Sequence, residues 1–246
     1  MCLAIVYIFS PQINWWWYVR HPPALDPPIR RLLHQQHRFF QRLTPSARQR
    51  FCDRVALYMI AHEFMPQGVE SVPEDVKAAV AAEAVQLTFG QEDFFFFSFE
   101  RIVIYPKPFP SPQFPRRFHA SELYEEDAVL LFAAEQLMLG FTAPDRYYNI
   151  ALHELAKVYL HLHPEAGWPE MDADSWERLE RISGMSREAI VQWINLPEEA
   201  IPAPAVAISH FFVFPVRFKE EWPAAYAAFA ETFRLDPAEM ATLAGR

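Results

Sequence analysis

Cysteine is nearly absent from this chain: Cys2 and Cys52 are the only two in 246 residues. That excludes a disulfide framework, and no Cys-x-x-Cys pair exists to hold a structural zinc or cycle between redox states. A reducing compartment, the cytoplasm, is the expected location. A long hydrophobic run is missing as well. Met1–Phe9 is apolar, but Ser10, Pro11, Gln12 and Asn14 interrupt it, whereas a bilayer span needs about 20 predominantly apolar residues. The same segment has neither a charged leader nor a small-residue cleavage site, which argues against a signal peptide. Positive charge is also scarce. Lys and Arg total 22 against 31 Asp and Glu, a net charge of -9. Up to Arg50 there are seven arginines against Asp26 alone, a surplus of six, so the remainder carries -15. An acidic body of this kind excludes direct nucleic-acid binding as the main role.

What the chain does have is apolar mass: 52% of residues are hydrophobic and 15% aromatic, with 22 Phe. This is enough for one large core. Two parts are expected. Residues 1–28 form an aromatic N-terminal segment and a linker with prolines at 22, 23, 27 and 28. Residues 29–246 form the body. Trp15–Tyr18 followed by Arg20 has the look of an interfacial anchor, so peripheral membrane contact stands as an alternative location. Helical spacing is expected from Ile29 through Leu43, again after Thr44-Pro45, and from a capping box at Ser71–Glu74 to Gly90. Phe94–Tyr105 and Ala128–Phe132 read as strands. Further helices are expected from near Asp145, over Asp174–Ile182, Ser186–Trp193 and Pro204–Phe214, and from Lys219 to Phe233. The class is therefore α+β, with a small central antiparallel or mixed sheet packed by helices.

The chemistry centres on Asn149-Ile150-Ala151-Leu152-His153-Glu154-Leu155-Ala156-Lys157. A zinc-peptidase helix reads His-Glu-x-x-His, with two imidazoles on one face roughly 5–6 Å apart and the Glu as base for a metal-bound water. Here His153 and Glu154 stand in place, but the second ligand position carries Lys157. An ammonium has three donors and no lone pair to give a cation. His161 and His163 cannot replace it, since eight residues along a helix is about 12 Å of rise. The other His-Glu pair, His62-Glu63, runs into Pro66 and reads as a helix end.

Taken in order, several stretches resemble one family, the zinc-dependent peptidases of the Mlc titration factor A type. They are Leu43–Val55, the alanine-rich Val76–Leu87, Ile102–Pro106, Asn149–Glu154, Ala205–Ala207, Phe211-Phe212, Glu221–Tyr226 and Phe233–Pro237. The resemblance implies a zincin-like, gluzincin fold with zinc held by His-Glu-x-x-His and a Glu on a later helix. Carried over without gaps, the first His is His153 and the base is Glu154. The second His is Lys157, the Glu ligand is Ser209, and the active-site Tyr is Asn195. One of three zinc ligands remains, so no cofactor is expected here although zinc is the family's.

The resemblance therefore implies a bacterial peptidase homologue that has lost zinc and hydrolysis and is kept as a binding or regulatory protein. The family's partner is a transcriptional repressor. Lys157, Asn195 and Ser209 are then residues of an emptied pocket. The alternative is an active, aminopeptidase-like metallopeptidase with an unusual metal site built from His153 and His210, the residue after Ser209. An envelope-associated structural role is the third reading, suggested by the aromatic N-terminus.

Overall fold

A computed structural model describes residues 15–244 other than residue 97. The expected apolar stretch up to Asn14 lies outside the described residues. Residues 15–20 are helical; Trp15 packs edge-on against Phe95, while Trp16 and Trp17 are exposed. Twelve helices follow: α1 (Pro27–Gln36), α2 (Arg38–Arg42), α3 (Pro45–Ala61), α4 (Glu74–Leu87), α5 (Ala134–Thr142), α6 (Ile150–Leu162), α7 (Ser175–Ser183), α8 (Arg187–Ile194), α9 (Ala203–Val213), α10 (Pro215–Glu221), α11 (Pro223–Phe233) and α12 (Pro237–Ala244). Among the described residues there are four strands: β1 (Glu63–Pro66), β2 (Arg101–Tyr105), β3 (Ser121–Tyr124) and β4 (Val129–Ala133). None of the described helices is long and apolar enough to cross a membrane.

The strands form one mixed sheet in the order β1-β2-β4-β3. β1, β2 and β4 run parallel, and β3 pairs antiparallel to β4 at the edge, with Ser121 opposite Phe132. One face buries Ile102, Ile104, Leu123, Leu130 and Phe132 against the helices. The other face buries Val103, Leu131 and Phe109 in a smaller cluster. The chain is thus α+β, with a small mixed sheet among many helices.

Several boundaries differ from the sequence expectation for local reasons. The capping box at Ser71 does not form; the helix begins at Glu74 with Pro73 as its N-cap. Val72 precedes a proline, which keeps it out of the helical region, so Ser71 cannot start a helix. The same effect at Trp222, before Pro223, splits the expected Lys219–Phe233 helix into α10 and α11. The helix expected through Leu43 breaks at His37, whose Nδ1 accepts the Phe40 amide and starts α2. Of Phe94–Tyr105 only Arg101–Tyr105 is a strand. Phe96 and Phe99 are instead anchors of an irregular segment in the core. β1, β3, α5 and α12 were not expected. Each is short, and β1 and β3 carry too few apolar residues to show an alternating pattern.

The core places α6 by packing it between sheet and helices. It touches β3 and β4 on one side and α4, α5 and α9 on others. Gly140 of α5 makes this possible, because a Cβ there would lie 2.7 Å from the Tyr148 carbonyl and 2.9 Å from the Asn149 Cα. Gly140→Ala is therefore expected to push α5 off the start of α6 and cost about 1–3 kcal/mol. Urea unfolding checks it, with the midpoint lowered and the slope unchanged.

Candidate functional site

Asn149, not Asp145, starts α6. Its side-chain oxygen accepts the Leu152 amide, and its Nδ2 donates to Glu83 Oε1 at 2.8 Å. Glu83 is buried on α4, and burial raises its pKa to about 7 despite that hydrogen bond. The cap thus ties the α6 N-terminus to α4 and fixes which way His153 and Glu154 point.

His153 and Glu154 are both fully buried. Glu154 accepts a hydrogen bond from the Ser121 hydroxyl at 2.8 Å through Oε1, and pairs with the Lys157 ammonium at 2.8 Å through Oε2. Burial pushes the Glu154 carboxyl up, but the Lys157 charge and the hydrogen bonds from Lys157 and Ser121 hold it below its usual value. Glu154 is therefore ionised, and both of its oxygens are engaged. Ser121 lies on β3, so this contact joins the edge strand to the helix. β3 is not fully open at its outer side. Phe109 and His119 form a two-way bridge just before it, and the Ala120 amide donates to Ile194 O.

On the other side of His153, the Tyr148 hydroxyl lies 2.8 Å from Nδ1. Tyr148 is held well above the ordinary tyrosine range, chiefly by burial. The phenol and Nδ1 share one hydrogen bond, with the phenol as donor or acceptor according to the imidazole tautomer. His153 Nε2 has no partner among the described residues. Burial lowers the His153 pKa to about 4, so the ring is neutral. Ser209, on α9, hydrogen-bonds the Tyr148 phenol. Ser209 and His153 are therefore joined through one hydroxyl.

His210 follows Ser209 and is also buried. Its pKa falls to about 3, from burial first and then the nearby His153 ring. Neither of its ring nitrogens has a hydrogen-bond partner among the described residues. The His210 ring stands edge-on to Tyr148, 6.1 Å between centroids. Asn195 lies elsewhere. It is the left-handed C-cap of α8 and exposed, and its Nδ2 donates to Phe118 O at 3.0 Å.

His153, Glu154, Lys157, Ser209 and His210 thus meet in one group, joined by Tyr148 and Ser121, which carry no role in the sequence reading. Tyr148 sits before the helix, where helical spacing gives no signal, and Ser121 is on an unexpected strand. Of the group only Lys157 reaches the surface, 15% exposed. The group can hold a proton on a buried imidazole and a charge pair on a carboxylate. His153 and Glu154 themselves are closed off from solvent.

The Glu154–Lys157 pair sets a pH-dependent expectation. Removing the ammonium strands a buried carboxylate, so Lys157→Met should cost about 3–5 kcal/mol at pH 7. Glu154 in that variant has a folded pKa above its unfolded value, because burial, the largest influence on it, is then opposed chiefly by the Ser121 hydrogen bond. Its neutral form is stable below the unfolded pKa, and the penalty appears as pH rises past it. The deficit against the parent should narrow as pH falls through about 4.5. Denaturant unfolding at pH 4 and pH 7 checks this; an equal deficit at both contradicts it.

Among curated proteins, none matches the chain. Residues 14–179, more than half of the chain and including all of α6 but not α9, match the family described as glucose-regulated metallo-peptidase M90. On a match over that share of its length, the chain belongs to that metallopeptidase family, the one typified by Mlc titration factor A.

Proposed function

We propose that this chain is a gluzincin-type member of the family that no longer holds zinc or hydrolyses peptides and acts as a binding protein. The observation that carries the reading is the Lys157–Glu154 contact of 2.8 Å. The residue at the second ligand position is a cation, and it is paired with the carboxylate that would otherwise activate a metal-bound water. The donor set does not fit zinc. A catalytic zinc takes three protein ligands and an open fourth position. Here one family ligand, His153, remains, and its Nδ1 is hydrogen-bonded to Tyr148. Ser209, at the position of the acidic ligand, is a neutral hydroxyl bonded to that same tyrosine.

Burial supports the same conclusion from another direction. General-base catalysis requires the base to lie within hydrogen-bond reach of the proton it takes. Glu154 already accepts from Ser121, is ion-paired with Lys157 and is closed off from solvent. The partner on this reading is another protein, such as the transcriptional repressor that the family resemblance implies, engaged through the outer surface. One observation favours a second reading, a metal site of His153 and His210: their unpartnered ring nitrogens lie within one buried group. Two imidazoles beside an ammonium supply too few lone pairs, so the first reading is preferred.

Restoration tests it. Lys157→His with Ser209→Glu puts three ligands back, with Ser209 already linked to His153 through Tyr148. The double variant is expected to take up about one zinc per chain while remaining a poor peptidase, since Asn195 cannot replace the family's tyrosine. A well-folded double variant that binds zinc no better than the parent would contradict the placement of Ser209 opposite the second ligand position.

A further inference from the structure

Seven arginines in the first fifty residues stand out in a chain of net charge -9, and nothing in the candidate site uses them. Two of them, Arg38 and Arg42 on α2, converge with Arg217 of α10 on a cavity of about 450 Å³. Asp145 is the only acidic residue in its lining. It pairs with Arg38 at 2.8 Å, which leaves Arg42 and Arg217 with no acidic partner among the described residues. The cavity therefore carries a surplus of two positive charges. Arg42 is half-buried, and its guanidinium is destabilised by burial and by the neighbouring charge of Arg38. Arg38 and Arg217 are exposed at the cavity, so the cost falls on Arg42, and an anion beside it lowers that cost.

We propose that this cavity is a binding site for a phosphomonoester group, held by Arg42 and Arg217 and flanked by Arg38. A phosphomonoester is a dianion near neutral pH, which matches the two uncompensated guanidiniums. The planar fork of arginine suits its oxygens in bidentate pairs. The volume lies within the range of small-molecule sites and exceeds what a bare ion needs. Val213–Val216, the junction of α9 and α10, also line the cavity. An occupant therefore touches the end of the helix that carries Ser209 and His210. The proposal is independent of whether the His153 site holds metal. The same group could come from a soluble metabolite or from an anionic lipid headgroup.

Calorimetric titration of the full chain with inorganic phosphate and with glycerol phosphate, chloride held at equal ionic strength, addresses the soluble source. Co-sedimentation with vesicles of phosphatidic acid in phosphatidylcholine addresses the lipid. Binding is expected in at least one arm, weakened about tenfold or more by Arg42→Gln with Arg217→Gln, since each charge-assisted contact is worth that much or more. Asp145→Asn removes the competing carboxylate and is expected to tighten the same interaction severalfold. That gain cannot come from a damaged fold, so it decides the matter if the double arginine variant fails to fold. Binding to phosphate and glycerol phosphate with this pattern assigns a soluble ligand, and the pattern on vesicles alone assigns a lipid headgroup. No binding in either arm, equal binding by the arginine variant, or no tightening with Asp145→Asn overturns the proposal.

Discussion

The contact between Glu154 and Lys157, closed on its other side by Ser121, is the constraint around which the site is arranged. A buried carboxylate must be neutralised or lose its charge, because the interior does not solvate it. Lys157 meets that need from within the same helix, three residues on, where side chains of a helix meet. Ser121 meets it from the edge strand. The Ser121 hydrogen bond ties α6 to β3, while the charge pair lies within α6 itself. A buried ion pair of this kind is weak evidence for stability in itself, since an apolar pair of the same shape can do as well. Its significance is chemical: the carboxylate is ionised, with one oxygen bonded to Ser121, the other facing the Lys157 ammonium, and both buried.

The rest of the group follows from that arrangement. His153 is neutral and fixed by the phenol of Tyr148, which in turn holds Ser209. His210 lies against them, neutral because a charged imidazole would be unsolvated there. The chain from Ser209 through Tyr148 to His153 links α9 to α6 by side-chain hydroxyls. Asn149 links α6 to α4 through Glu83. Three neighbouring elements are therefore tied to one helix by polar bonds, and the remaining volume is filled by apolar side chains that exclude water.

Much of this was legible in the sequence where one residue type decides the physics. Lys157 at a metal-ligand position needed no structure to read, because an ammonium cannot coordinate. The long apolar helices, and the prolines that bound them, were legible within a few residues. What the sequence hid depends on distant contacts. Ser121 sits on a four-residue strand whose own letters, Ser-Glu-Leu-Tyr, carry no alternating pattern, and the strand exists because β4 pairs with it. Tyr148 precedes its helix, so only the turn at Asn149 brings its hydroxyl back to His153. Ser209 and His210 both lie against Tyr148, although successive helix residues differ by about 100° of rotation, and a gap-free reading cannot show that. Asn195, read as a pocket residue, is instead held at the surface by its bond to Phe118 O.

Zinc content of the parent protein tests the central claim most directly. The chain should be purified without chelators, dialysed against metal-free buffer with a measured excess of zinc removed, and analysed by elemental mass spectrometry. With the second ligand replaced by an ammonium and Glu154 engaged by Ser121 and Lys157, zinc well below one ion per chain is expected, unchanged by His153→Ala. About one zinc per chain, lost on that substitution, would contradict the account, because His153 would then be a ligand and the pairing of Lys157 with Glu154 would not have replaced the metal.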